Sequence, residues 1–220
     1  EVARVHGYDA IPAIALRGAH TMLPAGEGVR SVIDLKNLLV ARGYQENITY
    51  SFTSEDLDRD FRSEGDILPL LNPIASQMGV MRGGLMGGLV QSLRYNLNHG
   101  LERLRVFEVG RAFLSVEPQG QPLRIAALAY GTSRPEQWGE KNRNVDFHDL
   151  RADLDALLYP VQAEYRPAMH PSLHPGQCAQ VLVDGAPIGW IGALHPRLNQ
   201  KYGFAKAPLV FELDTASLLN

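Results

Sequence analysis

The stretch AQVLVDGAPIGWIGAL, residues 179–194, decides the fold class of this chain. Two largely apolar runs, 179–183 and 188–194, lie on either side of Asp184-Gly185. Asp-Gly is favoured in the two-residue turn of a β-hairpin, because both turn positions require a positive φ. The stretch therefore predicts two neighbouring antiparallel strands.

The rest of the chain contains further strands and several amphipathic helices. Residues 103–113 and 123–130 are predicted to be strands that pair as a second hairpin, and other strands are predicted at 48–52, 67–71, 162–165 and 209–213. Helices are predicted at 27–42, 85–97, 146–158 and 196–202, with a helix end at 2–8, a short helix from Ser54 and an extended segment at 13–22. Hairpin-joined strands outnumber strand–helix–strand units. The predicted fold is therefore α+β, with an antiparallel sheet flanked by helices.

Composition limits the classes of protein that this chain can represent. Its 220 residues are 45% hydrophobic, enough for one core, so we expect a core domain at 13–220 and the tail of a preceding domain at 1–12. A net charge of −3 argues against a module that binds DNA or RNA by itself. With one cysteine, no membrane-length apolar run and no signal-peptide pattern, we expect a cytoplasmic protein without membrane contact. The chain opens in mid-helix without Met, so we expect a piece of a longer polypeptide.

An anion or carboxylate docking point is predicted where the helix at 85–97 begins. The stretch LNPIAS at 71–76 precedes Val80-Met81-Arg82, and a glycine-spaced apolar helix follows. A helix start carries unsatisfied N–H groups and the positive end of the helix dipole. Arg82 beside these amides would therefore favour a negative charge.

Ten blocks, taken in order, resemble the core of the bacterial phenylalanine–tRNA ligase beta chain. Each block is weak alone, whereas the ordered set is specific and covers nearly the whole chain. The blocks are EVARVHGYD at 1–9 with Ile11-Pro12, TYSF at 49–52, NPI at 72–74, Met81-Arg82, LRYNLN at 93–98, VFEVGR at 106–111, Trp138-Gly139 with Asp149-Leu150, Asp153-Leu154 and Ala156-Leu157-Leu158, HPG at 174–176, IGWIG at 188–192 with Leu194-His195-Pro196, and VFELD at 210–214. Gly83, Gly84, Gly87 and Gly88 replace the hydroxyl, leucine and proline residues usual after Met81-Arg82.

The resemblance implies a class II aminoacyl-tRNA synthetase-like core without catalytic residues. The parent enzyme would contain two alpha and two beta chains and charge tRNA with phenylalanine, using ATP and magnesium. The catalytic site would lie in the alpha chain, and this core would act as its scaffold, binding no cofactor alone. Glu1 matches the last ligand of a magnesium site whose other ligands would precede it. Arg94, Tyr95 and Asn96 are predicted, with Arg82, to contact an anion or a neighbouring chain.

Two other functions remain open from the sequence. One is an ATP-dependent ligase core that is active by itself, with Arg82 and Arg111 as candidate phosphate ligands; the other is an RNA-binding module. Attack on a triphosphate requires cations on its oxygens. The strand at 106–111 has its arginine at the far end, and the strand at 188–194 has none before Arg197, so a complete ATP site is not expected.

Several local patterns receive structural interpretations. The glycine-rich run at 83–88 lacks the Lys and Ser/Thr of a phosphate loop. His170 and His174 precede prolines, as does His195, and are interpreted as turn residues rather than as zinc ligands. Asp146 is predicted to cap a helix, with the other aspartates of that helix on its solvent or partner face, and Cys178 to be a small buried residue.

Overall fold

A computed structural model describes residues 1–12, 14–15, 18 and 30–219 of the chain. The α-helices within these residues are α1 (Val2–His6), α2 (Val32–Ala41), α3 (Glu55–Phe61), α4 (Met86–Asn98), α5 (Phe147–Leu158) and α6 (Pro196–Tyr202). The strands are β1 (Gln45–Glu46), β2 (Phe52–Thr53), β3 (Leu68–Pro69), β4 (Val80–Met81), β5 (Leu104–Arg111), β6 (Leu123–Tyr130), β7 (Glu164–Pro167), β8 (Leu173–Val183), β9 (Ala186–Leu194) and β10 (Leu209–Asp214). Short 3-10 helices lie at Tyr8–Ala10, Ser76–Met78 and Pro118–Gly120.

A seven-stranded sheet forms the centre of the fold, in the order β1-β5-β6-β10-β9-β8-β7. Its neighbours are antiparallel except for β1, which runs parallel to β5. The predicted α+β class is confirmed. The prediction of an antiparallel sheet is wrong at one edge, because the chain that leaves α2 enters the sheet as β1 in the same direction as β5. The likeness to the core of a class II aminoacyl-tRNA synthetase stays a prediction.

Both predicted hairpins are present. In β8–β9, Val183 pairs with Ala186, and Asp184 and Gly185 have φ values of 51° and 78°, the left-handed geometry of the predicted turn. In β5–β6, Leu104 pairs with Tyr130 and Arg111 with Leu123. The last strand, β10, then inserts between β6 and β9 and joins the two hairpins into one sheet.

Helices cover the two faces of this sheet and bury a separate core on each. The alternation of side chains along β10 shows the division, since Phe211 packs with α2 and α5 while Val210 packs with α3, α4 and α6. The same alternation places Glu212 on the α4 side, where it lies among apolar residues.

Several predicted boundaries differ from the observed ones. The strand predicted at 48–52 is replaced by β1 and β2, with an irregular segment between them. The helix predicted at 27–42 begins, within the described residues, after Ser31, whose side chain accepts from the Asp34 amide in a reciprocal capping box, and positions 27–29 lie outside the described residues. Most of the extended segment predicted at 13–22 lies outside the described residues.

A second, three-stranded antiparallel sheet, in the order β2-β4-β3, lies beside the start of α4. Phe52 and Leu68 both pair with Met81, one from each side. Residues 1–12 contribute α1 and a 3-10 helix that bury no side chain. The division of the chain between residues 12 and 13 stays a prediction.

Candidate functional site

The backbone amides at the start of α4 bind carboxylates of the protein itself. Leu85 N and Met86 N both donate to Glu212 Oε2, at 2.9 and 3.0 Å, and Gly83 N donates to Asp58 Oδ1 at 2.7 Å. The predicted carboxylate preference of this helix start is therefore met internally. Binding of an external anion here stays a prediction.

Arg82 points into the protein and is almost completely enclosed. Its Nη1 lies 2.5 Å from Glu108 Oε1 and 2.9 Å from Thr49 Oγ1, and its Nε donates to the carbonyl oxygen of Arg111 at 3.0 Å. Thr49 Oγ1 in turn donates to Glu108 Oε2 at 2.7 Å. The guanidinium thus fastens the start of α4 to β5 and to the segment before β2.

Two more buried ion pairs lie on the same side of the sheet. Arg62 Nε is 2.5 Å from Asp58 Oδ2, and Arg124 Nη1 is 3.0 Å from Glu212 Oε1. Burial acts to lower the pKa of Arg124, but the ion pairs with Glu212 and Glu64 outweigh it and raise that pKa. Three arginines and three buried carboxylates therefore neutralise one another; we call them the ion-pair cluster, and its members are Arg62, Arg82, Arg124, Asp58, Glu108 and Glu212.

A cavity of about 390 Å³ opens beside the ion-pair cluster. Aromatic side chains line much of it, and Tyr50 and Tyr95 are 68% and 64% exposed. Tyr50 stacks on Phe52 with ring centroids 5.2 Å apart, and Gly87 and Gly88 of α4 also line the cavity. Sequence reasoning found Tyr95 but missed Tyr50, because a residue placed in a strand gives no sign that it faces an opening.

The three α4 residues predicted to contact a partner lie near the end of that helix. Arg94 and Tyr95 are exposed, whereas Asn96 is half-buried and its Nδ2 donates to the Ser92 carbonyl at 2.8 Å. The Tyr95 ring stacks on His99 with centroids 4.1 Å apart. Contact between these residues and another chain stays a prediction.

A second cavity, of about 340 Å³, lies on the sheet surface above β9 and β10. Its lining includes Arg124, Glu212, Trp190 and His170. Burial and the nearby Arg124 charge lower the pKa of His170 to about 4, so its ring is neutral at pH 7. Ser172 N donates to His170 Nδ1 at 3.2 Å, which places the ring proton on Nε2.

The histidines at 174 and 195 and the cysteine have structural contacts. His174 Nδ1 and His195 Nδ1 accept backbone N–H groups of Gly176 and Arg197, both at 3.0 Å. Within the described residues, no three His, Cys, Asp or Glu side chains are grouped to hold a metal ion. Cys178 is buried as predicted, and burial raises the pKa of its thiol to about 11, so a thiolate is rare at neutral pH.

One aspartate of α5 departs from the prediction. Asp146 caps the helix as expected, but Asp153, predicted on a solvent or partner face, is buried. Asp153 accepts from Tyr44 Oη at 2.7 Å and pairs with Arg42 and Arg105 at 2.6 and 2.8 Å. The helical spacing alone could not reveal this, because the cationic partners of Asp153 come from the residue that follows α2 and from β5.

Glu1 lies at the exposed start of α1 and pairs with Arg4 at 2.7 Å. Its role as a magnesium ligand stays a prediction. No helix among the described parts of the chain is both long and apolar enough to cross a lipid bilayer.

Comparison with known proteins identifies the family. Residues 11–215 match the model of the phenylalanyl tRNA synthetase beta chain CLM domain. The chain therefore belongs to this family, which confirms the resemblance found in the sequence.

Individual relatives give the same result. The chain is 48% identical over 229 aligned positions to the phenylalanine–tRNA ligase beta subunit of Burkholderia pseudomallei and 49% identical over 220 to that of Chromobacterium violaceum. It is also 45% identical over 224 positions to that of Ralstonia nicotianae, with 97% of the chain covered. The chain spans 28% of the length of these relatives.

Proposed function

We propose that this chain is the catalytically silent core of a phenylalanine–tRNA ligase beta chain and acts as a scaffold for the catalytic alpha chain. The observation that carries the proposal is the ion-pair cluster. Its three arginines lie on one side of the sheet, and each is already bound to a carboxylate of the protein. This core would therefore contribute shape and surface to the enzyme rather than a reacting group.

The rival function, a self-sufficient ATP-dependent ligase, requires cations that are free to meet the triphosphate. Arg82 and Arg111 are the candidate phosphate ligands for this function. Arg82 is 7% exposed and bound to Glu108, while exposed Arg111 at the end of β5 donates to the Gln121 carbonyl at 2.6 Å. Both guanidinium groups are already bonded to other groups of the protein, which favours the scaffold over the ligase.

The parent enzyme that we propose contains two alpha and two beta chains in the cytoplasm. It would use ATP and magnesium to attach phenylalanine to tRNA, with Glu1 as one magnesium ligand. Family membership supports this assignment, and the class II-like core would be the part described here. The carboxylate of Glu1 suits magnesium, which prefers oxygen ligands.

The surface around the 390 Å³ cavity is the part of the scaffold that we assign to the alpha chain. Tyr50 and Tyr95 both line this cavity and are both largely exposed. Tyrosine is enriched among the residues that dominate binding energy at protein interfaces, because it combines a large apolar area with a polar end. Arg94, one position before Tyr95 and also exposed, would supply a charged contact at the rim.

Phenylalanine-dependent exchange between ATP and pyrophosphate tests the catalytic silence of the chain. We expect the isolated chain, and its Arg111→Gln variant, to exchange label no faster than a protein-free blank. This assay reports the activation chemistry, so simple binding of ATP would not imitate a positive result. Exchange that is dependent on phenylalanine and lost in Arg111→Gln would establish the ligase function and overturn the proposal.

A further inference from the structure

An arginine-rich cleft of about 690 Å³ lies at another place on the molecule, between the end of α2, the start of β5, the loop at 131–145 and α5. It holds five arginines against two aspartates, a surplus of three positive charges. The whole chain, in contrast, has a net charge of −3. The arginines are Arg42, Arg103, Arg105, Arg134 and Arg143.

The surrounding carboxylates do not remove this surplus. At the rim, Arg134 pairs with Glu140 at 2.8 Å and Arg143 with Asp146 at 3.4 Å. Counting these two acids still leaves one unmatched positive charge within the described part of the chain. The rim pairs are more than half exposed, and such pairs are weak and exchange readily with other charged groups.

Arg103 is the clearest uncompensated cation in the cleft. It is half-buried, and its side chain donates to the carbonyl oxygens of Thr132 and Ser133, at 3.1 and 3.4 Å. Among the described residues, no carboxylate lies within ion-pair distance of it. Burial, together with the neighbouring Arg105 charge, lowers the pKa of Arg103, which indicates a cation whose environment favours an added anion.

Arg105 adds an independent observation. Its side chain is only 9% exposed, and its Nη atoms bind Asp153 and the Ser133 carbonyl, at 2.8 and 3.2 Å. Its Nε is buried and has no hydrogen-bond partner among the residues that the structure describes. A buried donor without a partner is uncommon and unfavourable, so the guanidinium of Arg105 is an incompletely satisfied cation in the wall of the cleft.

We propose that this cleft binds a ligand with two or more phosphoryl groups. Guanidinium groups match phosphate oxygens in bidentate geometry and remain charged at any physiological pH. A polyanionic ligand can displace the weakly held rim carboxylates, and the cleft then offers up to three positive charges. Two sources provide this chemistry, a free polyphosphate and the backbone of an RNA strand. The inference rests on the arginines of the cleft and is independent of the proposed function.

Isothermal titration of the chain with inorganic tripolyphosphate, and separately with a short oligouridylate, tests the proposal at low salt. We expect one site per chain for at least one of the two probes, with an affinity that falls steeply as salt is raised. Binding of the oligouridylate would identify RNA as the source, and binding of tripolyphosphate alone would identify a free polyphosphate. If neither probe binds in low salt, the proposal is overturned.

A matched pair of variants locates the site. Arg134 and Arg59 are 66% and 65% exposed, and each pairs with one exposed glutamate, but only Arg134 lines the cleft. We expect Arg134→Gln to weaken binding by about threefold or more, and Arg103→Gln by about tenfold, the effect of one lost charge-assisted hydrogen bond. Arg59→Gln should stay within about twofold of wild type. Equal losses in Arg59→Gln and Arg134→Gln would show non-specific attraction and would contradict the proposed site.

Discussion

At the scale of single residues, the ion-pair cluster explains how three carboxylates remain buried beside apolar helices. Removing a charge from water is costly, and the attraction to a partner offsets that cost only when the geometry and the hydrogen bonds are good. Glu108 meets this condition with bonds from Arg82 and Thr49, and Glu212 with bonds from two amides and Arg124. Each buried charge therefore depends on its partner, because removal of one member leaves the other buried and uncompensated.

Replacing Arg82 with methionine should destabilise the protein strongly. The substitution leaves Glu108 buried without its cation, and breaking a buried pair in this way typically costs about 3–5 kcal/mol. Urea unfolding followed by circular dichroism measures the change. Arg59→Met, which breaks an exposed pair with Glu55, should cost less than about 1 kcal/mol. A loss at Arg82 as small as that at Arg59 would contradict the assigned pairing.

His170 should make the protein less stable in mild acid. Its pKa is about 4 in the folded protein and 6.5 in the unfolded chain, so the unfolded state binds the proton more readily between these values. Stability from the neutral ring is complete above pH 6.5 and is lost as pH falls toward 4, by about 3 kcal/mol in total.

Unfolding free energies measured from pH 7.5 to 4.5 test this effect. The slope with pH should be smaller in His170→Gln than in wild type, because the substituted side chain does not titrate. Exposed His148→Gln provides the control and should leave the slope unchanged. The same slope in wild type and His170→Gln would show that this ring is not held neutral.

At the scale of elements, local sequence predicted much of the structure and long-range contacts determined the rest. The turn at Asp184-Gly185 and the cap at Asp146 depend on neighbours within a few residues, so both were visible in the sequence. The acceptor at the start of α4, Glu212, lies 127 positions beyond Leu85. No local pattern encodes such a contact, and the sequence therefore indicated a vacant anion site there.

The two glycines of α4 that line the cavity should respond differently to substitution. A Cβ at Gly88 would lie 2.7 Å from Thr49 Oγ1, which is fixed by its bonds to Glu108 and Arg82. We expect Gly88→Ala to lower the unfolding free energy by about 1–3 kcal/mol despite the higher helix propensity of alanine.

Gly87→Ala serves as the comparison within the same helical turn. A Cβ there would meet the side chains of Phe61 and Leu57 at 3.3 and 3.4 Å, and small rotations of these groups can relieve the contact. The unfolding free energy should stay within about 1 kcal/mol of wild type. Equal stability of the two variants in urea unfolding would contradict the close approach of Thr49 to α4.

At the scale of the whole molecule, the order of strands brings distant sequence blocks together. The last strand, β10, lies between β6 and β9, and its Glu212 joins Arg124 of β6 to the start of α4. Strand periodicity predicts the faces of individual strands, but it cannot predict their order or the parallel placement of β1. Tyr50 and Tyr95 likewise line one cavity although they are distant in the sequence, a grouping that local periodicity does not reveal.

The scaffold proposal is tested most directly by weighing complexes with the alpha chain of the same ligase, using size-exclusion chromatography with light scattering. The account predicts a complex heavier than the alpha chain by the mass of one 220-residue chain for each copy bound. Tyr95→Ala should weaken this complex by about tenfold or more, whereas Trp138→Ala, a fully exposed aromatic outside the cavity, should not. Separate elution of wild-type chain and alpha chain at concentrations of tens of micromolar, or equal effects of the two substitutions, would contradict the account.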